Sequence, residues 1–437
     1  MMKSRIGLGL VLVIGLLAGN FSLASAQSGV IRPRRVRPVV ETPENPPANG
    51  GNDNTAAVTP TPRPRPNSTP APTPAPTRPP VANNNGGGTT VAPTPAANGI
   101  VKGDTTRAFS LLQQKQYAAA LTEARKITTQ FPNDPEAWKI AGFAQLNLNQ
   151  YAPAAIDLQK AYDLLRATGK EDIFAFDALA QAYFLAEQYG KALPLLITAT
   201  NRADPKADNT LLFYRGVAEF RAGKVEDAEK TFNQVIKANP KDTGALFYLG
   251  QFAYEKSDMT ACINLLNRVT VIDPNTPDAW RLLASAYQRR AATETDATQS
   301  EADYLGAVRA GEQLSRRSQT TEDTLLYAQA LIGAKQYAKA VPLLDKAAAA
   351  KPTDGRIFFL LGAAQLRANN MPKAILAFEQ AAKLTPKDAN VYRELGYAYE
   401  VQKQYAKALA AYQKGAALAP NDQYFQESIT RVKPYAK

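Results

Sequence analysis

The 437-residue sequence contains no histidine, one cysteine, two tryptophans and four methionines. Without imidazole there can be no Ser-His-Asp triad, no Cys-His pair and no His-ligated zinc or haem. A single thiol, Cys262, forms neither an internal disulfide nor a thiolate zinc cage. Between Gln27 and Gly99 there is no Phe, Trp or Tyr, whereas residues 27–100 hold 17 of the 31 prolines and seven glycines. Such a stretch buries too little apolar surface to offset its ordering entropy, so it is expected to be disordered. Gly86-Gly87-Gly88 lacks the Lys-Ser/Thr and helix start of a phosphate loop, and Asp273-Pro274-Asn275 lacks the Gly and terminal Glu of a calcium loop. Carboxylates such as Glu226 and Asp227 look like the solvated face of a helix, and no nucleophile stands beside a base. The chain is therefore read as a non-enzyme that uses no metal and no cofactor.

Charge is uneven: 51 Lys and Arg against 39 Asp and Glu, a net charge of +12. Residues 1–26 have the parts of an export signal: Lys3 and Arg5, the apolar run Ile6 to Leu17, and Ala24-Ser25-Ala26. The apolar core is ~12 residues against the ~20 that span a bilayer, so cleavage after Ala26 and a periplasmic location are expected. The alternative is an uncleaved signal that tethers the chain to the membrane. No later segment is apolar enough to span. In the linker 27–100, the Thr-Pro and Arg-Pro tracts from Thr59 should form a polyproline II spacer of up to ~70 Å. Arg32, Arg34, Arg35 and Arg37 suit a soluble tether or contact with an anionic cell-wall or membrane surface. Behind an export signal, nucleic acid is not an expected partner.

From residue 101 onward the sequence repeats. Gly216 and Gly250 are 34 apart, as are Gly362 and Gly396; Ala340, Ala374 and Ala408 and prolines 352, 386 and 420 keep the same interval. These marks divide 101–437 into nine units near 101–134, 135–168, 173–206, 209–242, 243–276, 277–320, 321–354, 355–388 and 389–422, with a closing helix at 423–433. Each unit carries two amphipathic patterns. In the last, Val391, Tyr392, Leu395, Gly396 and Tyr399 share one face, and Tyr405, Ala408, Leu409 and Tyr412 another. Small residues at the eighth and twentieth places would let paired helices approach, and proline near the thirty-second would end the second helix. The sixth unit is longer, and Ala291 to Ser300 is expected to form a longer turn or lengthened helices.

Trp138-Lys139-Ile140-Ala141-Gly142, Tyr392-Arg393-Glu394-Leu395-Gly396-Tyr397-Ala398-Tyr399, and Ala374, Phe378, Ala381 and Pro386 resemble the tetratricopeptide repeat. The resemblance implies an all-α, right-handed superhelical solenoid of about nine helix-turn-helix units plus a C-terminal capping helix. It also implies a concave groove that holds peptides or partner helices, and hence a scaffold that gathers envelope proteins. The inward places here are filled by Phe143, Phe213, Phe220, Arg221, Phe247, Gln251, Tyr254, Arg281, Arg289, Phe359, Arg367, Arg393 and Tyr397. Aromatics and Arg dominate binding energy at interfaces, so these are the candidate partner-binding residues. The Lys/Asn clamp that some family members use for acidic peptide ends is absent, because the matching places hold Thr105, Phe109, Ile140, Phe174 and Ala178.

Overall fold

The computed structural model describes residues 102–202 and 209–436. The expected export signal, the expected linker 27–100 and its Arg cluster lie outside the described residues. Two compact units are present, one ending at Ala175 and the other starting at Phe176. Among the described residues there are 19 α-helices, one short 3-10 helix and no strand. The chain is an all-α solenoid of helix pairs closed by a last helix.

In the unit that ends at Ala175, α1 (Thr106–Gln113) pairs with α2 (Tyr117–Gln130), and α3 (Pro135–Asn147) with α4 (Tyr151–Ala167). Ala108, Leu112, Ala120, Ala124, Ile140, Ala141 and Ala144 form their common core. Helix α5 (Ile173–Leu185) crosses the unit boundary and precedes α6 (Tyr189–Thr200). The second unit continues with the pairs α7 (Asn209–Arg221) and α8 (Val225–Ala238), then α9 (Thr243–Glu255) and α10 (Met259–Ile272). After them come α11 (Pro277–Thr293) with α12 (Ala297–Ser315), α13 (Thr321–Gly333) with α14 (Tyr337–Ala350), and α15 (Gly355–Arg367) with α16 (Met371–Leu384). The last pair, α17 (Ala389–Val401) and α18 (Tyr405–Leu418), is covered by α19 (Gln423–Val432), whose Phe425 is fully buried.

Three recurring local devices build these pairs. Four first helices and the closing helix start behind a capping Asp: the carboxylates of Asp134, Asp242, Asp354 and Asp388, and of Asp422 before α19, each accept a backbone N–H of the following turn. First helices end in a tight turn whose left-handed residue is Lys115, Asn149, Glu187, Gly223, Ser257, Lys335, Asn369 or Lys403. The next residue's N–H then reaches back five places to a helical carbonyl, as from Gln336 to Leu331 at 2.7 Å and from Gln404 to Tyr399 at 2.9 Å. This satisfies carbonyls that the helix end would leave bare.

Close approach is the third device. A Cβ added to Gly362 would lie 2.6 Å from the Phe378 ring, and one on Gly396 would lie 2.5 Å from Tyr412. Residues 120, 154, 192, 228, 262, 340, 374 and 408, all Ala except Cys262, have no exposed surface. Small side chains at both places are therefore a steric condition of pairing.

The sixth pair resolves the insertion as lengthened helices. Helices α11 and α12 run 17 and 19 residues, joined by 294–296, with Asp296 capping the N–H groups of Thr298 and Gln299. The extra length is pinned: Arg290 donates to both carboxylate oxygens of Asp303 at 2.8 and 2.7 Å, and Asp303 is buried.

Candidate functional site

The expected groove residues sit on first helices, and their surroundings divide them. Phe213, Phe247, Phe359 and Gln251 are buried in the protein alone, between 2 and 6% exposed. They are corrected here from partner-binding to core positions. Phe213 packs on Phe232 at 5.7 Å and Tyr248 at 6.2 Å, and Phe359 on Phe378 at 5.9 Å, so their area is already spent on neighbouring helices. The other nine are half-buried. Phe143 leans on the core of its own unit, and Tyr397 on that of the last repeats.

Most of the arginines join one repeat to the next. Arg281 of α11 donates to both Asp323 oxygens of α13, at 2.6 and 3.0 Å, and also pairs with Asp278. Burial alone would raise the Asp323 carboxyl; hydrogen bonds from Arg281 and Ser318 outweigh it and hold it below the usual carboxylate range. Arg289 of α11 stacks over Tyr254 of α9 at 5.2 Å and donates to Ser257 Oγ at 2.8 Å. Burial raises the Tyr254 phenol, and the nearby Arg289 only partly offsets this. Arg221 lies over Tyr189 at 5.8 Å, and Phe220 packs against Tyr248 and Phe252 at 5.6 and 5.4 Å. Arg393 pairs with Asp422 and lies over Tyr424 at 4.8 Å and Phe425 at 5.5 Å, which ties the closing helix down.

These are rungs of cation on ring or carboxylate, each spanning a seam between repeats. Rungs of this kind contribute ~0.5–2 kcal/mol apiece while leaving an edge of each planar group in solvent. Sequence position alone did not reveal them, because the partner of each Arg lies in a different repeat. A further group was missed entirely. The Glu394 carboxyl is raised by burial against the opposing pull of Arg367 and Arg393. Glu394, on α17 with Tyr397, thus feels the charge of two of the expected groove arginines.

Chemically the face offers half-exposed rings and guanidinium edges, the materials of polypeptide recognition. Among the described residues no group of three or more His, Cys, Asp and Glu could hold a metal ion. Cys262 is buried, and burial pushes its thiol up to about 12, so it is not a ready nucleophile. No described helix is long and apolar enough to cross a membrane.

Three family models, each described as tetratricopeptide repeat, match this chain: one at 219–286, a second at 178–242 and 325–389, and a third at 389–422. Among solved structures, a tetratricopeptide repeat protein from Parabacteroides merdae is 15% identical, with a TM-score of 0.37 over 60% of this chain and 98% of that one. MamA from Desulfovibrio magneticus is 20% identical, with a TM-score of 0.37 over 41% of this chain and 96% of that one. YrrB, described as a tetratricopeptide repeat protein with an unusual peptide-binding site, is 15% identical, with a TM-score of 0.37 over 46% and 97%.

Proposed function

Because the chain belongs to the tetratricopeptide-repeat family, a family of protein-interaction scaffolds, we propose that it is a non-catalytic scaffold of the cell envelope. In this reading the first-helix face holds segments of other envelope proteins, and the linker sets the distance from membrane or wall. The observation that carries it is the set of half-exposed rings and arginines on first helices: Phe220, Arg221, Tyr254, Arg289, Arg367 and Tyr397. Aromatics and Arg at a partly desolvated face are what binding hot spots are made of. The export signal at 1–26 supports the location outside the cytoplasm. The test is site-specific photocrosslinking in the native host from position 397, with position 376, an exposed Leu on a second helix, as control. A discrete partner captured from 397 and not from 376 supports the reading, and equal yields from both refute it. N-terminal sequencing of the mature protein tests cleavage after Ala26.

A second reading is favoured by four arginines within the six residues 32–37. Here the arm binds an anionic wall polymer or membrane surface by releasing counterions. Deleting residues 27–100 should then abolish salt-sensitive co-sedimentation with purified cell wall, and unchanged co-sedimentation removes the idea.

A further inference from the structure

The turns inside the last three repeats carry charge of one sign. Helices α13, α15 and α17 are each 13 residues long and α14, α16 and α18 each 14, and consecutive first helices touch. Equal lengths in register bring the three intra-repeat turns side by side, about 10 Å apart. Residues 324–344, 357–378 and 401–421 around these turns contain no Asp or Glu. Within them stand Lys335, Lys339, Lys373, Lys403 and Lys407, all exposed. Earlier turns of the same unit differ, since Glu187, Glu226, Asp227, Glu255 and Asp258 accompany their cations.

Among the described residues, none of the five lysines makes an ion pair. Lys339 donates to Gln336 at 3.0 Å, and Lys407 lies 5.4 Å over the Tyr399 ring. Some cations elsewhere are matched, as in Arg281 with Asp323 and Arg431 with Glu400. Two of the lysines also hold costly backbone: Lys335 and Lys403 have φ of 59° and 58°, where Gly would be cheaper. The fold gains nothing from a long cation at these places.

We propose that this edge of the last three repeats binds an acidic, extended segment of a partner protein. The cations stand at three places along a line, separated by two steps of about 10 Å. A chain in the extended polyproline II conformation advances ~3.1 Å per residue with about three residues per turn, so every third side chain meets the next repeat. A membrane would reward a broad basic face, but here exposed Asp345 lies further along α14 and capping Asp354, Asp388 and Asp422 mark the far edge. Lysine suits the task as a mobile point charge that reads charge rather than a fixed planar geometry. The site is separate from the first-helix face and does not depend on that reading.

The test uses the full chain and a fluorescent 12-residue peptide with Glu at every third position, read by anisotropy at low and moderate salt. Changing Lys335, Lys339, Lys373, Lys403 and Lys407 to Gln should weaken binding about 10- to 100-fold and flatten its salt dependence. Changing Lys237, Lys241, Lys346, Lys383 and Lys387 to Gln removes the same charge from other exposed places and should leave affinity within about twofold. Equal loss in both variants, or binding only to vesicles containing phosphatidylglycerol and not to the peptide, overturns the proposal. Since all ten side chains are exposed, unchanged urea midpoints will show that both variants remain folded. Arg221→Glu on the first-helix face should not alter peptide affinity, which separates failure of this site from failure of the scaffold reading.

Discussion

Replacing Gly362 by Ala isolates the steric condition of pairing. The new methyl would lie 2.6, 2.7 and 2.9 Å from three atoms of the Phe378 ring, against an optimum of about 3.5–4.0 Å. Phe378 is fully buried and packs on Phe359 at 5.9 Å, so the ring cannot retreat without pushing α15 from α16. Overpacking of this kind costs ~1–3 kcal/mol, and helix propensity returns about 1 kcal/mol for Gly→Ala. Three ring atoms under 3 Å put the cost in the upper half of its range, so the net loss is about 1–2 kcal/mol. Gly190 provides the internal control, because it is exposed in the first turn of α6 and its added Cβ meets nothing within 4 Å. There the propensity gain stands alone, about 0.5–1 kcal/mol of stabilisation. Urea unfolding followed by circular dichroism should therefore move the two midpoints in opposite directions. A Gly362→Ala chain as stable as Gly190→Ala would show that the small residue is not a packing requirement.

Lys335→Gly relieves a left-handed residue and is expected to raise stability by ~0.5–1 kcal/mol in the same assay, whereas Lys339→Gly, inside α14, should lower it by about 1 kcal/mol. Asp323→Asn strips Arg281 of its buried charge partner and should cost ~2–4 kcal/mol by urea midpoint. The wild-type protein should show the same link in acid. The folded Asp323 carboxyl lies below its ordinary value, so its stabilisation is present above pH ~4 and is lost as pH falls through the folded value. Asp323→Asn should therefore flatten the stability profile below pH ~4. Cys262 should react with Ellman's reagent at pH 8 only after denaturation, because its thiol is buried and raised to about 12. Rapid labelling of the folded chain would contradict that placement.

The fold was legible in the sequence because each cause is local or periodic. Gly362 and Gly396 mark close approach, Asp354 and Asp388 cap the next helix, and the interval of 34 places the same steric demand in every unit. The candidate site was legible only in part. Phe213 and Phe220 stand on one helix and both fit an inward place, yet Phe213 is 2% exposed and Phe220 is half-buried. Phe213 packs on Phe232 and Tyr248 and Phe220 on Tyr248 and Phe252, all on later helices, and no residue near either one encodes these contacts.

The sequence by itself determined that nine helix pairs form and what lets each pair close, since helix caps, turn residues and small side chains act within about 34 residues of one another. Only the tertiary structure decided which aromatic and Arg side chains the seams consume and which cations stay without a counter-charge. Burial and ion pairing are set by residues from the next repeat, and their distances exist only once the helices have stacked.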